Sequence, residues 1–205
     1  MRVLSRRFRT MLLVTGLLAA SLLIGLDRAV MAPRWRHMAA GSAPSAARDN
    51  ARYHGQTFTV TRVVDGDTLY LDVPDDGAPA TKVRLLGIDA PELAHDGASA
   101  MYFARQATDY ARQQLQGHTV TVYLDETPRT RGKYGRLLAY LEMPDGAFLN
   151  ELLLAEGYAY ADPRFAHSYL QRYRQLEGSA RALGKGLWAG VTREQMPRWR
   201  QSRAP

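Results

Sequence analysis

Three short stretches gather the residues most able to do chemistry: Asp65-Gly66-Asp67-Thr68, Arg84-Leu85-Leu86-Gly87-Ile88-Asp89-Ala90-Pro91-Glu92, and Lys133-Tyr134-Gly135-Arg136. They hold four carboxylates and two arginines, each near the end or edge of a strand-like run. Carboxylates at such spacing can hold one hard cation and activate a water, while guanidinium groups grip a phosphate as its charge grows. That combination is the chemistry of phosphodiester hydrolysis.

Each stretch also has a plainer reading. Asp-Gly-Asp between strands is commonly a hairpin turn in which the glycine supplies a positive φ. Asp89-Ala90-Pro91-Glu92 reads equally as a strand exit, with Pro91 preventing extension. Arg84 interrupts an apolar strand, where an arginine needs a carboxylate or a ligand for its head. Arg136 could be an edge charge that discourages sheet pairing. Together the case is stronger, because adjacent strands bring Asp67 and Asp89 close, and clustered carboxylates call for a cation.

The elements that must position these groups follow from periodicity. Residues 57–63, 68–73 and 81–88 alternate and are rich in β-branched side chains, which gives a three-strand meander. Apolar residues recur at helical spacing over 98–116, ending at Gly117. Two further strands cover 119–124 and 136–142, separated by a polar loop, and helices are expected over 149–156 and 167–183. The plan is α+β, and its five short strands match the count of an oligonucleotide-binding (OB-fold) barrel, with about three helices packed on it.

The 205 residues, 46% hydrophobic and 23% charged, suit one domain with appendages. The formal charge is +7, but it is unevenly placed. Residues 1–37 and 190–205 are strongly basic, while 55–189 carries 14 basic and 17 acidic side chains. The bulk charge therefore says little about substrate, and any phosphate grip must come from a few placed arginines and lysines. Cysteine is absent, which excludes disulfides, thiolate metal sites and a cysteine nucleophile. The five histidines have no ligand spacing. An all-oxygen ligand set points to Ca²⁺ or Mg²⁺.

Residues 1–37 read as a signal sequence or membrane anchor: four arginines among the first nine residues precede an uncharged run, 11–26. Arg28 and the proline after Ala32 weigh toward an uncleaved anchor. Either form places the rest of the chain outside the cytoplasm. Residues 38–54 are small and polar and read as a flexible linker, 55–189 as the folded domain, and 190–205 as a basic tail. No interface signature is present, so a monomer is expected. A chain with this plan but no turnover would be a tethered barrel that binds nucleic acid or protein.

The three motifs, in this order and spacing, resemble the staphylococcal nuclease (thermonuclease) family. The likeness runs from about Gly55 to Trp188 and includes Leu149-Asn150-Glu151, Gly157 and Gly186-Leu187-Trp188. It implies an OB-fold barrel and a Ca²⁺-dependent nuclease acting on DNA and RNA and leaving 3′-phosphate ends. Asp67 and Asp89 match the metal carboxylates, and Ala90 matches a position that ligates through its carbonyl. Glu92 matches the general base, and Arg84 and Arg136 the phosphate-binding arginines. Lys133 and Tyr134 fall in a substrate-contacting stretch, and Tyr160 is a candidate to stack on a base. Ala90 stands where the best-known member has threonine, so the carbonyl is kept and a hydroxyl is lost.

Overall fold

The computed structural model describes residues 45–202 except 95, 96, 98 and 128. The leader reading for 1–37 lies outside these residues. Five strands close a barrel in the order β1 (Gln56–Val63), β2 (Thr68–Leu71), β3 (Thr81–Leu85), β6 (Leu137–Glu142) and β5 (Thr119–Tyr123). Neighbours are antiparallel except β3 and β6, which run parallel with Arg84 opposite Leu138. The expected α+β barrel is therefore present.

Alternation decides which side chains face inward. Along β3 the burial alternates, so Thr81, Val83 and Leu85 enter the barrel while Lys82 and Arg84 face out. Val60, Leu69, Leu71, Val120, Val122, Leu137 and Leu141 complete the interior, each buried and each worth about 1.5–3 kcal/mol when removed from water. β3 stops at Leu85, short of the expected end, because Gly87 turns the chain at φ +78. No side chain fits there: a Cβ would lie 2.5 Å from the ring of His167. The chain then resumes as β4 (Ile88–Asp89), which pairs with β7 (Tyr160–Ala161) in a separate two-stranded ribbon.

The helices are α1 (Ser45–Tyr53), α2 (Ala104–Leu115), α3 (Leu149–Ala155), α4 (Leu170–Ala182) and α5 (Arg198–Gln201). Three correspond to the expected ones. α1 corrects the linker reading of 38–54, because from Ser45 onward that stretch is helical and fastened to the barrel. Its Asp49 accepts from Arg131 at 2.7 and 2.8 Å and from Thr130 at 2.6 Å, while Arg131 also pairs with Asp75. Tyr53 is fully buried against the same guanidinium and bonds Thr81. Burial opposes ionisation of Asp49, but Arg131 and Thr130 outweigh it and hold the carboxyl below its usual value.

Asn150, at the start of α3, ties the barrel to the helical layer. Its carbonyl accepts from Leu141 N–H at 3.1 Å and its amide donates to the Leu86 carbonyl at 3.0 Å.

His167 gives this packing a pH signature. It is buried, its Nε2 has no partner among the described residues, and burial lowers its pKa against the opposing pull of Asp125 and Asp162. The folded ring thus stays neutral where the unfolded chain, with histidine near about 6.5, takes up a proton. The stabilisation is complete above that pH and is lost as pH falls through it. Urea midpoints measured from about pH 8 down to about pH 5 should therefore decline, and His167→Phe should flatten this limb. The lowered carboxyls of Asp49 and Asp125 add their losses only in the more acidic carboxylate range.

Candidate active site

β2, β3 and β6 lie side by side, and their outward residues build one face. Thr68 pairs with Arg84 across β2 and β3, and Arg136 enters β6 beside them. The Asp65-Gly66-Asp67 turn joins β1 to β2 through Val64 N–H to the Thr68 carbonyl at 2.8 Å, and Asp67 N–H caps onto Asp65 Oδ1 at 3.0 Å. Gly66 is not the left-handed residue expected of this turn; it is absent from the positive-φ positions of the fold. Close approach requires it instead, since a Cβ there would lie 2.6 Å from the Ala90 methyl and 3.2 Å from that of Ala107.

That contact draws the two acidic motifs together. Asp67 is only 1% exposed, and its carboxylate accepts from Ala90 N–H at 2.6 Å and Thr68 Oγ1 at 3.1 Å. Arg84 lies between the two acids, pairing with Asp67 through Nη1 and with Asp89 through Nη2 at 2.6 Å. The strand-embedded arginine thus has the carboxylate partners its position demands. Burial pushes the Asp65 carboxyl up, opposed by Arg84, Thr68 and Arg136.

Asp67 and Asp89 converging on one guanidinium shows that a single positive charge can be shared between them. Among the described residues no group of three or more acidic or histidine side chains forms a metal cluster. The side chains would thus supply two carboxylates, with backbone oxygen and water completing the six to eight oxygen ligands of Ca²⁺. An all-oxygen donor set of this kind fits such a hard cation.

Arg136 differs from Arg84. Among the described residues its guanidinium makes one hydrogen bond, a long one from Nη1 to Thr68 Oγ1 at 3.4 Å, and its buried Nε has no partner there. A guanidinium with donors to spare beside two carboxylates is suited to an anionic ligand. Lys133 and Tyr134 project from the preceding loop, with Tyr134 75% exposed and the Lys133 ammonium 5.3 Å from its ring centre. Arg131 holds the base of this loop through the Gly135 carbonyl. Glu92 lies exposed beyond β4, its backbone carbonyl accepting from Met101 N–H at 2.9 Å.

A match to the family model described as staphylococcal nuclease homologue spans residues 82–190. The chain belongs to the staphylococcal nuclease family. It is 33% identical over 150 residues to a thermonuclease of Staphylococcus hyicus, an alignment covering 73% of this chain and 84% of that one. A thermonuclease of Staphylococcus intermedius is 36% identical over 137 residues, covering 65% and 77%. A protein of Escherichia coli O157:H7 named as an uncharacterized endonuclease is 32% identical over 149 residues, covering 73% and 84%.

In this staphylococcal nuclease homologue, Asp67, Arg84, Asp89 and Ala90 come together, with Arg136 beside them through Thr68. Tyr160 does not join them. It is fully buried, edge-on to Trp188 with its ring 5.2 Å from the Arg200 guanidinium, so no face is open for a base to stack on. The reason is its strand: Tyr160 pairs with Asp89 in the β4–β7 ribbon and points into the helical layer. Sequence reasoning missed Arg164, which bonds Asp162 at 2.8 Å and reaches Asp89 at 3.2 Å, with the exposed Phe165 beside it. It also missed Trp199, whose indole N–H donates to Asp89 Oδ2 at 2.8 Å. The Asp162-Pro163-Arg164-Phe165 run was a signal available in the sequence; nothing marked Trp199.

Proposed function

We propose that this protein is a Ca²⁺-dependent endonuclease that hydrolyses phosphodiester bonds of DNA and RNA. The observation that carries this reading is the sparsely bonded Arg136 standing beside the buried Asp67 and half-buried Asp89, in a chain of the staphylococcal nuclease family.

Asp67 and Asp89, with the Ala90 carbonyl, would hold the ion. When bound, Ca²⁺ supplies positive charge against a non-bridging phosphate oxygen. Arg84 and Arg136 donate hydrogen bonds to the phosphate and stabilise its added charge as a water attacks phosphorus. Glu92 accepts the proton of that water as its oxygen bonds to phosphorus. The P–O5′ bond breaks, the 5′ oxygen leaves with the bonding electron pair and takes a proton from solvent water, and the 3′ side keeps the phosphate. Lys133 and Tyr134 contact the strand flanking the scissile bond.

The arginine-rich start and the apolar run at 11–26 support placing the domain outside the cytoplasm, released or held at the membrane. Fractionation with N-terminal sequencing tests this, and recovery in the cytosol would exclude both forms. For the activity, the full chain incubated with single-stranded DNA should degrade it with Ca²⁺ and stop on addition of a chelator. Degradation that survives the chelator overturns the metal requirement.

A further inference from the structure

The segment after residue 190 lies beyond the family match yet reaches the site. It contains a short 3₁₀ turn, Arg193–Gln195, and then α5. Two contacts fasten it to the domain, through Arg200 and Trp199, and one from Arg193 braces it internally. Arg200 makes a two-pronged ion pair with the buried Glu177, both bonds 2.8 Å, and Glu177 in turn accepts from Ala161 N–H of β7 at 2.9 Å. Arg193 donates to the Gln201 carbonyl at 2.7 Å. Trp199 lies 4.7 Å from the Arg164 guanidinium.

The consequence falls on Asp89. Its Oδ1 faces Arg84 and Arg164, and its Oδ2 accepts the Trp199 indole proton. Indole N–H is a donor only, so it cannot compete with the carboxylate for a cation. A hydrogen bond to one oxygen of a carboxylate fixes its plane, and here it keeps Oδ1 turned toward the positive charge shared with Asp67.

We infer that Trp199 is a positioning residue for Asp89, and that the C-terminal segment completes the cation site. This rests on the calcium reading above. Trp199 does not touch the reacting atoms; it acts through the carboxylate it orients.

The test compares the full-length protein with Trp199→Phe, which keeps an aromatic ring against Arg164 and removes only the donor. Ca²⁺ affinity is measured by calorimetry without nucleic acid, alongside metal-free thermal unfolding. Trp199→Phe should weaken Ca²⁺ binding by about 10–100-fold, the usual loss for an outer partner of a metal ligand, with metal-free unfolding little changed. Arg200→Met, which loosens the Glu177 anchor, should weaken it in the same direction. In a nuclease assay the Trp199→Phe loss should be recovered by raising Ca²⁺.

Equal Ca²⁺ affinity in wild-type and Trp199→Phe overturns the positioning role and leaves the calcium reading standing. Tighter binding in Trp199→Phe also overturns it, making the indole a competitor. A wild-type protein that takes up no Ca²⁺ overturns the calcium reading and this inference together.

Discussion

Glu92→Gln should retain the fold and lose about 10²–10⁴ in turnover. The side chain is exposed, so the amide meets no burial penalty, and the Met101 contact uses the backbone of residue 92. Shape and reach are preserved while the base is lost. Because the base acts in the chemical step, kcat should fall with KM nearly unchanged. The rate of single-stranded DNA breakdown at saturating Ca²⁺, with folding checked by circular dichroism, measures this. Loss of less than tenfold would remove Glu92 from the mechanism.

The two arginines should separate in stability while agreeing in rate. Losing either phosphate donor is expected to cost about 10²–10³ in kcat. Arg136→Met removes a guanidinium with one long hydrogen bond, so the fold should barely notice. Arg84→Met instead strands Asp67, a carboxylate 1% exposed, beside Asp89. Breaking a buried pair from one side costs about 3–5 kcal/mol, because the remaining charge is uncompensated. On the proposed calcium reading, Ca²⁺ should restore much of that loss, since it would bind the same carboxylates in the folded state only. Urea unfolding of both variants with Ca²⁺ and with chelator decides the matter. Equal stability losses, or no rescue of Arg84→Met by Ca²⁺, would contradict the pairing of Arg84 with the carboxylates proposed to hold the ion.

The barrel was legible because its strands are half-buried, which writes burial into alternation: Thr81, Val83 and Leu85 in, Lys82 and Arg84 out. The acidic and basic motifs were legible because carboxylates and arginines at strand ends have few other uses in combination. Long-range partnerships were not legible. α1 is short and offers only alanines and one tyrosine as apolar residues, and Asp49 finds Arg131 82 positions away, a pairing that no local pattern encodes. Tyr160 looked available because tyrosine suits stacking, but its strand partner, Asp89, fixed which way it points. Trp199 sits among arginines that read as a solvated basic tail, while Arg200 is in fact tied to the buried Glu177. Gly66 was read for its backbone freedom when its missing methyl was what mattered.

That missing methyl has one more consequence. The turn that carries Asp67 and the strand end that carries Asp89 touch through a glycine and an alanine, neither of which has a side-chain torsion to adjust. The gap between the two backbones is thus set by hard contact, with little give. Oxygen-to-metal distances differ by only a few tenths of an ångström between Mg²⁺ and Ca²⁺, about 2.0–2.1 against 2.3–2.6 Å. If the proposed cation sits between these carboxylates, a spacer with no moving parts would make this corner of the fold a gauge for ionic radius, with residues 66 and 90 setting the calibration.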